Sequence, residues 1–142
     1  MGKYTANLKY ILIHKYNVAI ECFKMGLYWH AITHDLSKFY PSEFTPYANN
    51  FHSNTKDRRA IEIAWVFHKN RNKHHWDFWV KGSGDPIPMP EKYVKQLVAD
   101  WKGMGRQKGF DSAIRYYAKT KHRMRLHNIT RKLISKHLFG EL

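Results

Sequence analysis

Residues 8–23 read LKYILIHKYNVAIECF, and this stretch decides the fold class that the sequence predicts. Its apolar side chains recur every three or four positions, which is the spacing that lines one face of an α-helix. The positions at this spacing are Leu8, Ile11, Leu12, Lys15, Val18, Ala19, Cys22 and Phe23. Only Lys15 among them is polar, and Gly26 follows where a helix is expected to end.

The N-terminal half continues with three further predicted helices. Residues 27–34 predict a short second helix. Pro41 opens a third, because proline is tolerated in the first helical turn, and Pro46 can divide that helix into two short pieces. Residues 57–80 predict one long helix, with Asp57 favouring its N-terminus.

The C-terminal half predicts a loop and two more helices. KGSGDPIPMP, at 81–90, is dense in glycine and proline and predicts a loop. Pro90 starts a helix that reaches about Lys102 and ends among three glycines: Gly103, Gly105 and Gly109. Residues 111–138 predict a long, basic last helix. No strand-like alternation of useful length occurs, so we expect residues 1–142 to form a single all-α domain of five to seven helices.

The composition indicates a folded intracellular protein. Hydrophobic residues make up 43% of the 142 positions and aromatic residues 15%, which argues against disorder. The lone cysteine, Cys22, cannot form an internal disulfide and excludes a multi-cysteine zinc site. The apolar stretch at 10–23 is interrupted by polar residues and is too short to cross a bilayer. We therefore expect a soluble, cytoplasmic protein.

The charge is strongly basic, with 25 lysines and arginines against 11 acids and a formal net charge of +14. Such a surface attracts polyanions such as nucleotides, nucleic acid or acidic membrane. It is equally consistent with a basic, soluble surface that has no specific partner. The ten histidines are more informative, because they are not scattered evenly.

Four residues, His14, His34, Asp35 and Asp100, are candidates for one metal site. His34 and Asp35 are adjacent in THDLSKF at 33–39, and neighbours on a regular helix point about 100° apart. A bend before Pro41 would let both side chains face one ion. Asp100 lies among apolar residues, and a buried carboxylate needs a partner such as a cation. The alternatives are a hydrogen-bonded core histidine at position 14, and at 34–35 a satisfied core histidine beside a helix-capping aspartate.

A second group of candidates lies on the predicted helix at 57–80. His68, Asn72 and His75 have the spacing i, i+4, i+7 and would share one face, whereas His74 would be rotated away by about 100°. The alternative is a polar helix face that happens to carry histidines. Imidazole and carboxylate ligands together suit Mn, Fe, Ni, Co or Zn.

The order His … His-Asp … Asp, here His14, His34-Asp35 and Asp100, resembles the signature of the HD-domain metal-dependent phosphohydrolases, which are all-helical. The wider pattern resembles a family of small bacterial and phage proteins over about residues 10–133. It comprises HKYNV, HDLSKFYPSEFTPYA, AWVFHKNRNKHHW, MPEKYVKQLVADWKGMGR and RLHNITRKL.

The resemblance implies an HD-domain-like fold that holds one or two divalent transition-metal ions. The implied ligands are His14, His34, Asp35, His68, His74, His75 and Asp100. His14, His34, Asp35 and Asp100 would surround one ion. Asp35 would also bridge to a second ion near His68. Of the two remaining histidines we favour His75 for the second ion, because it shares a helical face with His68.

The resemblance also implies a reaction, in which a metal-bound hydroxide attacks a phosphate ester such as a nucleotide or cyclic nucleotide. Besides Asp35, the expected catalytic residues are Lys38, which would contact a phosphate oxygen, and Glu43, which would transfer a proton or hold a ligand histidine. Lys38 could equally be a solvated surface lysine, and Glu43 an ordinary first-turn acid. The further candidates for substrate contacts are Asn72, Lys73 and Arg106.

Two other functions stay open at this point. Some proteins with the HD fold use a diiron centre for oxygenation, and the ligand types would support that chemistry. A non-enzymatic, basic nucleic-acid-binding protein is the third interpretation. The expected partner is a phosphate-containing small molecule, in the first place a nucleotide, with nucleic acid as a second candidate and no membrane. The protein would act in the host cytoplasm if a phage encodes it. Four of the five tryptophans are interpreted as core rather than as platforms for bases: Trp65, Trp76, Trp79 and Trp101.

Overall fold

The computed structural model describes residues 1–108 and 113–140, and within them the chain is all-helical. Seven α-helices follow one another in these two ranges: α1 (Lys3–Lys24), α2 (Tyr28–Thr33), α3 (Pro41–His52), α4 (Arg58–Arg71), α5 (Glu91–Gln107), α6 (Ala113–Thr120) and α7 (Asn128–Phe139). The only β-type pairing in the described ranges is a single bridge between Val80 and Pro86. The prediction of one compact all-α domain is confirmed, and an HD-like architecture is compatible with it.

The packing of α1 against α5 is the central contact of the fold. Val18 and Cys22 of α1 are fully buried against Ala99 of α5. Gly103 lies inside α5 at this crossing, where a Cβ atom would come within 2.5 Å of the Val18 Cγ2 atom. The prediction that α5 ends near Lys102 is therefore wrong. Glycine serves here to let two helices approach closely, and α5 continues past Gly103 and Gly105 to Gln107.

The helix ends in the first half of the chain follow local signals. Gly26 has a φ of +72°, a left-handed conformation that glycine adopts without strain, and α1 ends just before it. Pro46 lies within α3, which nevertheless stays one continuous helix. The Asp57 side chain accepts a hydrogen bond from the Ala60 N–H at 3.0 Å, which confirms its predicted role at the start of α4.

The predicted single helix at 57–80 is wrong, because α4 ends at Arg71. Asn72 is the first residue with extended backbone angles, φ −129° and ψ 90°, and both its N–H and its side-chain amide donate to the His68 carbonyl oxygen, at 3.0 and 2.8 Å. The chain then turns through His74 and His75 into a short 3₁₀ segment, Trp76–Trp79. His74 and His75 therefore do not lie on a helix, and the directions of their side chains differ from those that helical spacing predicted.

The predicted last helix at 111–138 is also interrupted. A 3₁₀ turn, Lys121–Arg123, and an extended segment separate α6 from α7. Met124 and Leu126 of this segment are buried in a core beneath α5, α6 and α7, so tertiary packing overrides the helical pattern there. Gly109 and the predicted helix start at Asp111 lie outside the described residues. None of the described helices is both long enough and apolar enough to cross a membrane.

Candidate metal centre

A backbone bend brings His34 and Asp35 to the same side. His34 lies just beyond α2, and Asp35 has the left-handed angles φ 53° and ψ 29°. Aspartate tolerates this region better than most residues, because its short polar side chain can bond locally. The Lys15 ammonium donates to the carbonyl oxygens of Ile32 and His34 and so holds the bend from α1.

The first set of candidate ligands joins this bend to α1 and α5. The His14 Nε2 atom lies 3.0 Å from Asp100 Oδ1, and the His34 Nε2 atom lies 3.4 Å from the same oxygen. The two imidazole Nε2 atoms are 3.3 Å apart. His34 Nε2 is also 3.3 Å from Asp35 Oδ2. One atom each from His14, His34 and Asp100 lies within 4.8 Å of the others, as a metal ion requires.

The second set faces the other oxygen of Asp35. The Asp35 Oδ1 atom lies 3.6 Å from His68 Nε2 and 3.3 Å from His74 Nε2. The Nε2 atoms of His68 and His75 are 2.9 Å apart. Asp35, His68 and His75 form one triad with metal-compatible spacing, and His74, His75 and Asp100 form another. The Asp35 carboxylate therefore stands between two sets of imidazoles.

The donor atoms of this cluster fit a cation. Asp35 Oδ1, His74 Nε2 and Asp100 Oδ1 are buried and form no hydrogen bond within the described residues. Imidazole Nε2 atoms surround the two carboxylate oxygens at distances of 3.0–3.6 Å. Buried polar atoms without partners are costly. Imidazole and carboxylate atoms that converge in this way are the ligand types of a divalent transition metal.

The protonation states agree with ligation. Burial alone would raise the pKa of Asp35, but His34 and Lys38 outweigh it and hold the pKa well below its usual value. The adjoining imidazoles of His14 and His34 similarly outweigh burial at Asp100, whose pKa is also well below normal. Burial lowers the pKa of His34. The lowered pKa values of Asp35 and Asp100 favour charged carboxylates, which is the form that binds a cation.

The outer nitrogens of three histidines are held by neighbouring side chains. Glu43 is fully buried, and its Oε2 atom accepts from His68 Nδ1 at 2.8 Å. His14 Nδ1 lies 3.1 Å from Gln107 Oε1, and His34 Nδ1 lies 3.2 Å from His30 Nε2. A partner on Nδ1 fixes the tautomer and leaves Nε2 free for a metal.

Glu43 is itself anchored on the side away from the centre. It accepts hydrogen bonds from Ser37 Oγ at 3.0 Å and from Arg71 Nη1 at 3.0 Å. Burial would raise the pKa of Glu43, but the hydrogen bond from His68 and these two donors lower it below its normal value. Of the two roles expected for Glu43, the geometry fits the holding of a ligand histidine.

Lys38 is the cation closest to the centre. It lies on the 3₁₀ turn Leu36–Phe39, and its Nζ atom is 2.7 Å from Asp35 Oδ2. Burial acts to lower the pKa of Lys38, but the carboxylates of Asp35 and Asp100 outweigh it and raise the pKa. Lys38 is therefore a charged ammonium at the edge of a cavity, and not a solvated surface lysine.

Two cavities adjoin the centre. The small cavity, of about 520 Å³, is lined by Lys38, by His14 and by aromatic side chains that include Tyr10, Tyr47 and Phe51. The large cavity, of about 960 Å³, is lined by parts of α5 and α6 and by the segment after α4. Trp101 is buried as predicted, but Trp65 is 37% exposed and borders both cavities.

The remaining sequence candidates lie elsewhere. Lys73 and Arg106 line neither cavity: the Lys73 ammonium lies over the Phe78 ring, and Arg106 Nη1 lies 3.7 Å from Glu21 Oε1. The Asn72 amide donates to Ser37 Oγ at 2.7 Å, within the network around Glu43. The structure thus places none of these three residues on the lining of either cavity.

The sequence interpretation missed two residues and misplaced a third. His30 precedes His34 by four positions, a spacing that predicts contact on a helix, and this was the available signal. Gln107 carried no comparable signal. His74 was expected to point away from the group, but it lies beside Asp35 because α4 has already ended at Arg71.

The comparison with family models gives one match. A model described as "Family of unknown function (DUF5662)" matches residues 3–139. No curated protein and no solved structure matches the chain.

Proposed function

We propose that this chain, which belongs to the DUF5662 family, is a metal-dependent phosphohydrolase of the HD type that acts on a phosphate ester of the nucleotide or cyclic-nucleotide class. One observation carries the proposal. The two oxygens of the buried Asp35 carboxylate face separate sets of imidazoles, with a charged lysine at 2.7 Å on the cavity side. This arrangement suits a bridging carboxylate between two divalent ions, next to a group that binds phosphate.

The residues divide into two binding sets. His14, His34 and Asp100 would hold one ion together with Asp35 Oδ2. Asp35 Oδ1, His68 and His75 would hold the other, with His74 adjoining both sets. When bound, a divalent ion lowers the pKa of coordinated water towards neutrality and withdraws charge from a phosphate. Mn, Fe, Ni, Co and Zn all accept these ligand types.

The chain's own residues then bind and orient the substrate. The Lys38 ammonium borders the small cavity, where it can donate to a phosphate oxygen and offset charge that develops there. Tyr10, Tyr47 and Phe51 give the same cavity an aromatic lining that suits a nucleobase. Glu43 is a positioning residue, because it touches His68 and not the cavity.

The test combines metal analysis with an assay of hydrolysis. Protein loaded with Mn, Fe, Ni, Co or Zn is assayed with nucleotides, cyclic nucleotides and bis(4-nitrophenyl) phosphate. We expect bound metal and hydrolysis of at least one ester, and Asp35→Ala should abolish hydrolysis and lower the metal content. His122→Ala is the matched control, since His122 is exposed and outside the centre. If metal-loaded protein hydrolyses none of these esters, the proposal is wrong.

A further inference from the structure

The large cavity has a cationic rim and aromatic walls, which hydrolysis of a small phosphomonoester does not require. Four residues border both cavities: Trp65, His75, Asp100 and Met104. His75 and Asp100 belong to the metal centre, so the large cavity begins where the small one meets the candidate ions. Volumes of about 520 and 960 Å³ are each enough for a drug-sized ligand.

The rim of the large cavity is cationic. Lys108 at the end of α5 and Arg115 and Lys119 of α6 line it, and all three are exposed. None of them has an acidic partner among residues 1–108 and 113–140. Asp77 also lines the cavity, but it accepts a hydrogen bond from Trp65 Nε1 at 2.8 Å and lies 3.9 Å from Lys69 Nζ. Within the described ranges, the positive charge of the rim is therefore not compensated by Asp77.

The walls of the large cavity are aromatic. Trp101 and Tyr116 meet edge to face with ring centroids 5.4 Å apart, and Trp76 adds a third ring. Tyr116 is 47% exposed although it lies against Trp101, so part of its ring surface is accessible. Cations interleaved with accessible aromatic rings are the features that bind single-stranded nucleic acid, by charge on the phosphates and stacking on the bases.

We propose that the large cavity binds nucleotides that continue beyond the scissile phosphate, and that the substrate is a single-stranded oligonucleotide. This inference rests on the proposed function. A phosphomonoester carries one organic group and would fill one cavity, whereas a phosphodiester chain carries a nucleoside on each side of the reacting phosphate. Hydrolysis would add water across one P–O bond, leaving a phosphomonoester on one product and a hydroxyl group on the other.

The binding test uses 5′-fluorescein-labelled dT10 and metal-free protein in EDTA, with anisotropy measured from 50 to 300 mM NaCl. In the double variant Arg115→Gln/Lys119→Gln the slope of log K against log salt should become shallower by about 1.4, or about 0.7 for each lost phosphate contact. The dissociation constant should rise about tenfold at 0.1 M salt. The control is Lys81→Gln/Lys132→Gln, which removes the same charge from exposed residues that line neither cavity.

Two results would overturn the inference. The first is equal affinity and equal salt slope in the double variant and its charge-matched control. The second is metal-loaded wild-type protein that hydrolyses bis(4-nitrophenyl) phosphate, a nucleotide or a cyclic nucleotide but leaves dT10 intact. Failure to hydrolyse dT10 and every small ester of the panel, nucleotides and cyclic nucleotides included, would instead overturn the proposed function and the substrate assignment with it. The two failures are distinguishable, because the small esters do not need the large cavity.

Discussion

Substitution of Lys38 tests the chemistry on phosphate independently of metal binding. Its ammonium lies 2.7 Å from Asp35 but supplies no lone pair to a cation, because a charged lysine is only a donor. We expect Lys38→Ala to leave the metal content intact and to lower turnover of the hydrolysed ester by about 10²–10³-fold, as loss of one transition-state contact does. Steady-state kinetics and metal analysis of the same preparations check this, and a variant that loses its metal would contradict it.

Glu43 acts on the centre through His68. Glu43→Gln keeps the shape of the side chain but removes the negative charge that faces the imidazole, Ser37 and Arg71. Loss of such a partner typically weakens metal affinity by about 10–100-fold. A competition titration with a metal-binding dye should show the loss for one of two ions. Glu62→Gln, an exposed glutamate of α4 paired with Arg58, is the control, and equal affinities in the two variants would exclude the positioning role.

The sequence predicted the candidate metal ligands better than the residues that hold those ligands in place. His34 and Asp35 could be singled out together, because two adjacent polar residues need a bend to face one point, and Asp35 provides that bend with its positive φ. His30 and Gln107 could not be assigned in the same way. Their contacts are made through the outer nitrogens of other histidines and depend on which helices meet.

The crossing of α1 and α5 is the element contact on which the centre depends. A Cβ atom at position 103 would lie 2.7 Å from the Val18 Cα atom, which is backbone and cannot move aside alone. Gly103→Ala should therefore separate the helices and lower the free energy of unfolding by about 1–3 kcal/mol. Metal affinity should fall as well, because α1 carries His14 and α5 carries Asp100.

Urea unfolding with linear extrapolation measures the stability change. Gly82→Ala is the matched control, since a Cβ atom at position 82 meets nothing within 4 Å. Equal stability of the two alanine variants would mean that α1 and α5 accommodate the added methyl group without moving apart.

Helix interiors were predictable from apolar periodicity, but two helix breaks were not. The pattern at 57–80 continues past Asn72 without a proline or glycine, but the helix ends at Arg71, where Asn72 takes extended backbone angles and its side-chain amide caps the last turn. Between α6 and α7, burial of Met124 and Leu126 beneath neighbouring helices outweighs local propensity. Both breaks depend on contacts that cannot be predicted from the spacing of apolar residues in the sequence.

The whole metal-free molecule should lose stability in acid. Burial lowers the pKa of His30 to about 3, next to His34 and His74, so this histidine binds a proton less readily when folded than when unfolded. The unfolded state then binds more protons, and the free energy of unfolding falls as the pH falls. For His30 the stabilisation is complete above the unfolded pKa of about 6.5 and is lost as the pH falls towards about 3.

The depressed pKa values of Asp35 and Asp100 act in the same direction at lower pH. Thermal unfolding in EDTA, followed by circular dichroism from pH 7 to pH 4, should show a falling midpoint. His30→Asn should flatten this dependence, because it removes one group whose pKa differs between the two states. A midpoint that stays constant over this range would contradict the linkage.

The ligand positions also set an order of events during refolding. The two imidazole–carboxylate sets draw on α1, the bend after α2, α4 and its following turn, and α5, so no contiguous segment of the chain contains a complete site. Contact between α1 and α5 closes a long loop, and this costs chain entropy that contacts between residues close in sequence do not offset. We therefore expect metal capture to be a late kinetic phase, slower than the appearance of helical circular dichroism, so that bound metal reports a completed topology.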